Sequence, residues 1–167
     1  MLKKFLKKLS EHKADLNGGL MVLVCFMALM ITGFCVDMAK IQWQKYNITN
    51  QVTFVARIVS RQGGAQNSAP SWYDKEFDYV TAGELYSYVD DALRKVKVDD
   101  YKITVNGRAL PSSIRHVDFK EQIEVKITAT LENSYIHKMC GGPEKLIVGD
   151  SVVALSEFFI RDNTIIH

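Results

Sequence analysis

No residue between positions 16 and 36 is charged, and from Gly19 onward this stretch (GLMVLVCFMALMITGFCV) is almost wholly apolar. Its length matches the roughly 20 residues that an α-helix needs to cross a bilayer core. There, every backbone N–H and C=O must be satisfied within the segment, as a helix does. The competing reading is a helix buried at the centre of a globular domain. It fails on mass, because 167 residues make one domain and an anchor, and the remainder lacks the apolar side chains to wrap such a helix on every face. A cleaved signal peptide fits poorly as well. The run exceeds the usual length of about 7–15 residues, and no small-x-small site follows it. Cleavage after Ala39 would place Asp37 three positions back, and Phe34 precedes Cys35 where a lipoprotein signal needs a small residue. The sequence therefore predicts an uncleaved transmembrane helix over residues 18–38.

Charge sets the expected orientation. Lys3, Lys4, Lys7, Lys8 and Lys13 stand against Glu11 and Asp15 in residues 1–17, a formal +3 within a chain of net +2, so the rest sums to −1. This tail reads as cytoplasmic by the positive-inside bias, with the C-terminal domain extracytoplasmic. Trp43 and Tyr46 then fall near the outer interface. The mild overall basicity belongs to the tail, and nothing suggests a nucleic-acid surface. Residues 2–9 (LKKFLKKL) set Leu2, Phe5, Leu6 and Leu9 on one helical face. A short amphipathic helix on the inner leaflet and a plain topology determinant both fit this pattern. Cys25 and Cys35 lie in the span, which leaves Cys140 alone outside it. An intermolecular bridge and an unpaired thiol are both open to Cys140, and the outer domain must stand on its hydrophobic core.

Ile41, Ile48, Val52, Val55 and Val59 recur at helical spacing, with Lys45, Arg57 and Arg61 mostly off that stripe. The expected helix starts near Gly19, runs about 45 residues at 1.5 Å each, and stops at Gly63-Gly64. Its outer part, residues 39–62, has a greasy face in need of a partner. Residues 63–80 read as a loop. Thr81-Ala82-Gly83-Glu84 is a capping box opening a second helix with Leu85, Val89, Leu93 and Val96 on one face. Tyr101, Ile103 and Val105 alternate with polar residues and lead into Asn106-Gly107, a hairpin turn whose return strand, residues 108–110, is cut short by Pro111. The clearest strand alternates Ile123, Val125, Ile127, Ala129 and Leu131 with polar residues. Residues 134–139 read as its continuation or a further strand, and residues 145–160 as strand, Gly149-Asp150 turn, strand. The expected class is α+β: an antiparallel sheet of three to five strands in residues 63–167, covered on one face by helices.

The sequence has no G-x-S-x-G, P-loop, H-E-x-x-H or C-x-x-C pattern, and His116, His137 and His167 are scattered. His137 and Cys140 are two ligand types three apart without a second pair, too few for a metal site. Asp90-Asp91 and Asp99-Asp100 beside a lysine-rich helix read as solvated surface, and Asn47-Ile48-Thr49 matches the glycosylation triplet inside the helical stripe. The expectation is no enzyme, no cofactor and no small-molecule substrate.

An anchoring helix that continues as the spine of a small extracytoplasmic α+β domain resembles the plan of type IV pilins and pseudopilins. Lys13, Ala14, Asp15, Leu16, Asn17, Gly18, Gly19, Leu20 and Met21 form a basic-polar stretch, then glycine, then a hydrophobic run, which looks like a prepilin leader. The likeness is greatest to the TadE-like minor pseudopilins of tight-adherence pili and to small pilin-like proteins of Gram-positive conjugative elements. It implies leader processing at Gly18 or Gly19 and a helix that packs beside its neighbours in a filament. The family's glutamate five residues past the cleaved glycine has no counterpart, since Leu23 or Val24 stands there. The resemblance implies a structural or accessory component of a bacterial surface filament, secretion or conjugation apparatus. Its partners would be the lipid bilayer and other membrane or pilus-assembly proteins, copies of itself included. The alternative is a bitopic scaffold or sensor whose outer domain binds a partner or ligand.

Overall fold

Good helix formers crowd the first seventeen positions, and no proline or glycine interrupts them before Gly18. The computed structural model describes residues 2–71, 73, 78–133, 138 and 141–158, and in it the first helix, α1, spans Leu2–Gln62. It therefore begins well before the expected start near Gly19. Residues 2–9 are its first turns rather than a separate short helix, and the glycine pair lies inside it. A mid-helix glycine weakens a helix by roughly 1 kcal/mol without ending it. The chain forms two compact units, and one of the boundaries between them falls within α1, between Lys40 and Ile41.

The second unit is built on the outer part of α1. Gly63 and Gly64 end the helix at positive φ, and the Gly64 N–H donates to the Val59 carbonyl at 3.0 Å. A β-carbon on Gly64 would lie 2.9 Å from the Arg115 carbonyl oxygen, so glycine is required there for close approach as well as for conformation. The second helix, α2 (Ala82–Lys95), opens with Thr81 as N-cap, and the capping box with Glu84 is complete in both directions. The four strands are β1 (Asp100–Val105), β2 (Arg108–Ala109), β3 (Gln122–Glu132) and β4 (Lys145–Leu155). All neighbours are antiparallel, in the order β2-β1-β3-β4. Asn106 and Gly107 turn the β1–β2 hairpin with both φ angles positive, as a type I′ turn demands.

Alternation in β1 and β3 sends Ile103, Val105, Ile123, Val125, Ile127, Ala129 and Leu131 into one core. There they meet Leu85, Val89 and Leu93 of α2 and Ile48, Val52, Val55 and Val59 of α1. The opposite face carries Lys102, Glu124 and Lys126, all exposed. The layout is thus α+β, a four-stranded antiparallel sheet with both helices contributing to the core beneath one face.

The expected turn at Gly149-Asp150 is not formed. Residues 145–155 make one continuous strand, in which Gly149 pairs with Thr128 and Asp150 with Ile127. The local turn tendency of Gly-Asp is overridden by an eleven-residue partner strand and by a hydrogen bond that holds the Asp150 carboxylate. Of residues 134–139, read as strand, only Lys138 is described, and it is assigned helix. His137, Cys140 and His167 lie outside the described residues.

Candidate functional site

The element that most demands a functional account is α1, whose two stretches have opposite surroundings. From Leu20 to Met38 the apolar side chains are exposed within the chain, with Met21 at 72 %, Leu29 at 72 % and Val36 at 64 %. A window in this helix has a mean hydropathy of 2.5 with none of it buried, so it is long and apolar enough to cross a membrane. Thr32, a polar group in the run, donates its hydroxyl to the Ala28 carbonyl at 2.8 Å and so satisfies itself within the helix. Among the described residues, no atom lies near enough to Gly18 or Gly19 to exclude a side chain. Lys3, Lys4, Lys7, Lys8 and Lys13 all fall on the first turns of the same helix.

Beyond Lys40 the surroundings invert. Ile41 is half-buried, and Ile48, Val52, Val55 and Val59 are fully buried against the sheet and α2. At the change-over, Trp43 and Tyr46 are exposed and stacked, with ring centroids 6.1 Å apart. The Asn47 amide donates to the Trp43 carbonyl and the Thr49 hydroxyl donates to Asp150, so the glycosylation-like triplet is spent on structure.

Two buried glutamines lock the helix to its surroundings. Gln44 donates to the carbonyls of Val96 and Lys97 at 3.0 and 3.2 Å, capping the C-terminal end of α2. Gln62 accepts from the Val80 N–H at 2.8 Å and donates to the Val80 carbonyl at 2.9 Å. This reciprocal pair fixes the end of the loop before α2. Sequence reasoning missed both, since their partners lie in loops or at a helix end with no periodic signal.

The densest titratable cluster ties α2 to β1. The Tyr101 hydroxyl donates to Asp90, Arg94 Nε lies 2.8 Å from the same carboxylate, and the rings of Tyr86 and Tyr101 stack with centroids 6.2 Å apart. The Tyr101 hydrogen bond, followed by that from Arg94, holds the Asp90 carboxyl below its ordinary range. Burial, reinforced by Asp90, pushes the Tyr101 phenol up. Asp90 is thus part of a clasp between elements rather than bare solvated surface. Among the described residues, no three His, Cys, Asp or Glu side chains come together to hold a metal ion.

No family model, curated protein or solved structure matches this chain.

Proposed function

We propose that the chain is a single-pass membrane protein, N-terminus cytoplasmic, that serves as a structural or accessory pilin-like component of a bacterial surface filament, secretion or conjugation apparatus. One observation carries this reading. A single helix, unbroken from Leu2 to Gln62, is apolar and largely uncovered over residues 20–36, and its other end is the core element of an α+β domain. A flexible tether would anchor a domain equally well. A helix that is both anchor and core element is instead the layout of the pilin-like proteins that the sequence resembles. Lipid covers residues 20–38 in the bilayer, and the same side chains meet neighbouring helices when copies or partner subunits assemble. The glycines at 18 and 19, which no described neighbour crowds, suit a processing site.

The scaffold or sensor reading draws on one fact, that no acid occurs between positions 16 and 36 to pair with a neighbour's amino terminus. Two measurements on the protein from its native membranes separate the readings. Intact mass reveals cleavage after Gly18 or Gly19. Photo-crosslinkers at Leu23, Met27 and Ile31 report protein or lipid neighbours. Crosslinks to pilin-like subunits or to further copies support the proposal. An uncleaved chain that labels only lipid leaves the scaffold reading in its place.

A further inference from the structure

The core of the outer domain begins almost where the apolar run of α1 ends. Met38 closes that run, and six positions later the Gln44 amide already donates to the Val96 and Lys97 carbonyls at the end of α2. Six residues of helix rise only about 9 Å. The sheet starts at the same level. Thr49 meets Asp150 and Ser60 meets Leu155, so five residues of β4 keep step with eleven of α1, about 16–17 Å in each case. Three residues before Asp150, Ile147 is thus level with about residue 42 of α1. Ile147 pairs with Thr130, and Thr130 with Asp100, the first residue of β1. One end of the domain is therefore made by the end of α2, the start of β1 and the start of β4, with only those six residues of α1 between it and the apolar run.

This end carries groups that favour a bilayer surface. Trp43 and Tyr46, exposed and stacked, lie off the buried stripe of α1. Trp43 follows Met38 by five positions, about 8 Å of rise, and a headgroup layer is about 5–8 Å deep on each side of the hydrocarbon. Across the core from them, Ile147 is 74 % exposed on the outward face of the sheet, more than any other large apolar residue described. The exposed charges at the ends of α2 and the strands cancel, Lys95, Lys97 and Lys145 against Asp99, Asp100 and Glu132, so a charged macromolecule finds no surface of one sign. Gly141, Gly142 and Pro143, which lead into β4, group with Met1–Lys40 in the other compact unit. Amphipathic rings and a bare aliphatic side chain around a neutral rim suit the layer between water and hydrocarbon. We infer, resting on the single-pass reading, that this end of the domain is seated in the headgroup layer of the outer leaflet, with Trp43 and Tyr46 on one side and Ile147 on the other in contact with lipid.

Depth measurements on the full-length chain in phosphatidylcholine nanodiscs test this. Single cysteines, in a background with Cys25, Cys35 and Cys140 replaced by serine, carry an environment-sensitive fluorophore, and a phosphatidylcholine with a nitroxide on its headgroup is the quencher. Ile147→Cys and Lys97→Cys probes should be quenched about fivefold more strongly than a Leu155→Cys probe, which shares the outward face of β4 but lies eight residues, about 26 Å, further along the strand. All three positions are exposed, so melting temperatures should stay near that of the parent. A Leu29→Cys probe, quenched by nitroxides on the acyl chains, reports the anchor separately. If Leu29→Cys is quenched but Ile147→Cys and Leu155→Cys respond alike, strongly or weakly, the seat is overturned and the single-pass reading stands. An Ile147→Cys probe with blue-shifted emission and no quenching is covered by protein, a second copy or another chain, and overturns the seat as well. A Leu29→Cys probe that escapes quenching removes the anchor and the seat together.

Discussion

The side-chain hydroxyl of Thr49 on α1 donates a 2.5 Å hydrogen bond to the carboxylate of Asp150 on β4, joining residues 101 positions apart. The second Asp150 oxygen accepts from the Ser151 N–H at 2.8 Å. Eleven positions along the helix, Ser60 makes a matching bond to the Leu155 carbonyl, and the Glu157 N–H donates back to the Ser60 carbonyl at 2.9 Å. An edge strand with β3 on only one side is thereby held to the helix beneath it at two points. An aspartate on the inward face of a strand becomes tolerable because both its oxygens are engaged.

Thr49→Val preserves shape and removes only the donor. It should lower unfolding stability by about 1–3 kcal/mol, the range for leaving a partly buried charged acceptor without a partner. Thermal unfolding of the full chain in detergent reads this directly. Asp150→Ala should cost less in the Thr49→Val chain than in the parent, because one of the two bonds to its carboxylate is already gone. Additive losses would mean that they act independently.

The Asp90 clasp gives a pH dependence with a defined sign. The Asp90 carboxyl is held below its ordinary value in the folded chain, first by Tyr101 and then by Arg94. Its contribution is present above the unfolded carboxylate pKa, near 4. It is lost as pH falls through the lower, folded value. The Tyr101 phenol is raised, so its contribution is complete below about pH 10 and declines as pH climbs beyond that. Asp90→Asn should therefore flatten the acid limb of a stability–pH curve and relax the alkaline limb. Tyr101→Phe should remove the alkaline limb and weaken the acid one. Curves that keep both limbs in both variants would rule the clasp out as their source.

Elements marked by local chemistry are legible in the sequence. The Thr81–Glu84 capping box, the Asn106-Gly107 turn and the alternation of residues 123–131 each rest on neighbours within a few positions, and each forms as read. What escaped was decided at a distance. Gly149-Asp150 reads as a turn until β3 and Thr49 are placed against it. Gln44 and Gln62 look like ordinary surface amides until the loops they bind are known. The start of α1 differs from the expected one because a glycine pair within a helix weakens it without ending it, and good helix formers such as Leu2, Lys3, Leu6 and Lys7 precede the pair. Of the candidate site, the apolar face of α1 is visible as a periodicity, while the Asp90–Tyr101 clasp depends on how α2 meets β1, which no local pattern encodes.

Gln44 offers a test of that distant kind. Gln44→Leu keeps the bulk and leaves the Val96 and Lys97 carbonyls without their donor. Both carbonyls end a helix, so water can replace part of the loss, and we expect about 1 kcal/mol of destabilisation. Hydrogen exchange should locate it, with amides in the last turn of α2 exchanging faster while those of β3 stay protected. Uniformly faster exchange across the domain would show that Gln44 is a core element rather than a cap.

The outer part of α1 bears the weight of the pilin-like proposal. Val55 is fully buried against the sheet. Val55→Asp forfeits the transfer energy of that side chain, about 1.5–3 kcal/mol, and adds the penalty of a carboxylate with no partner. The outer domain should unfold or assemble poorly. Gln51→Asp, half-buried and off the apolar stripe, should shift stability by no more than about 1 kcal/mol. Val52→Pro is the sharper probe, because it removes a helix hydrogen bond as well as a buried side chain and costs about 3 kcal/mol or more in a helix interior. Circular dichroism and crosslinking of the full-length chain in membranes should record lost helicity and lost neighbour contacts in Val52→Pro. A chain that keeps its helicity, its neighbours and its function with proline at 52 has a tether where a spine was proposed, and the pilin-like reading falls with it.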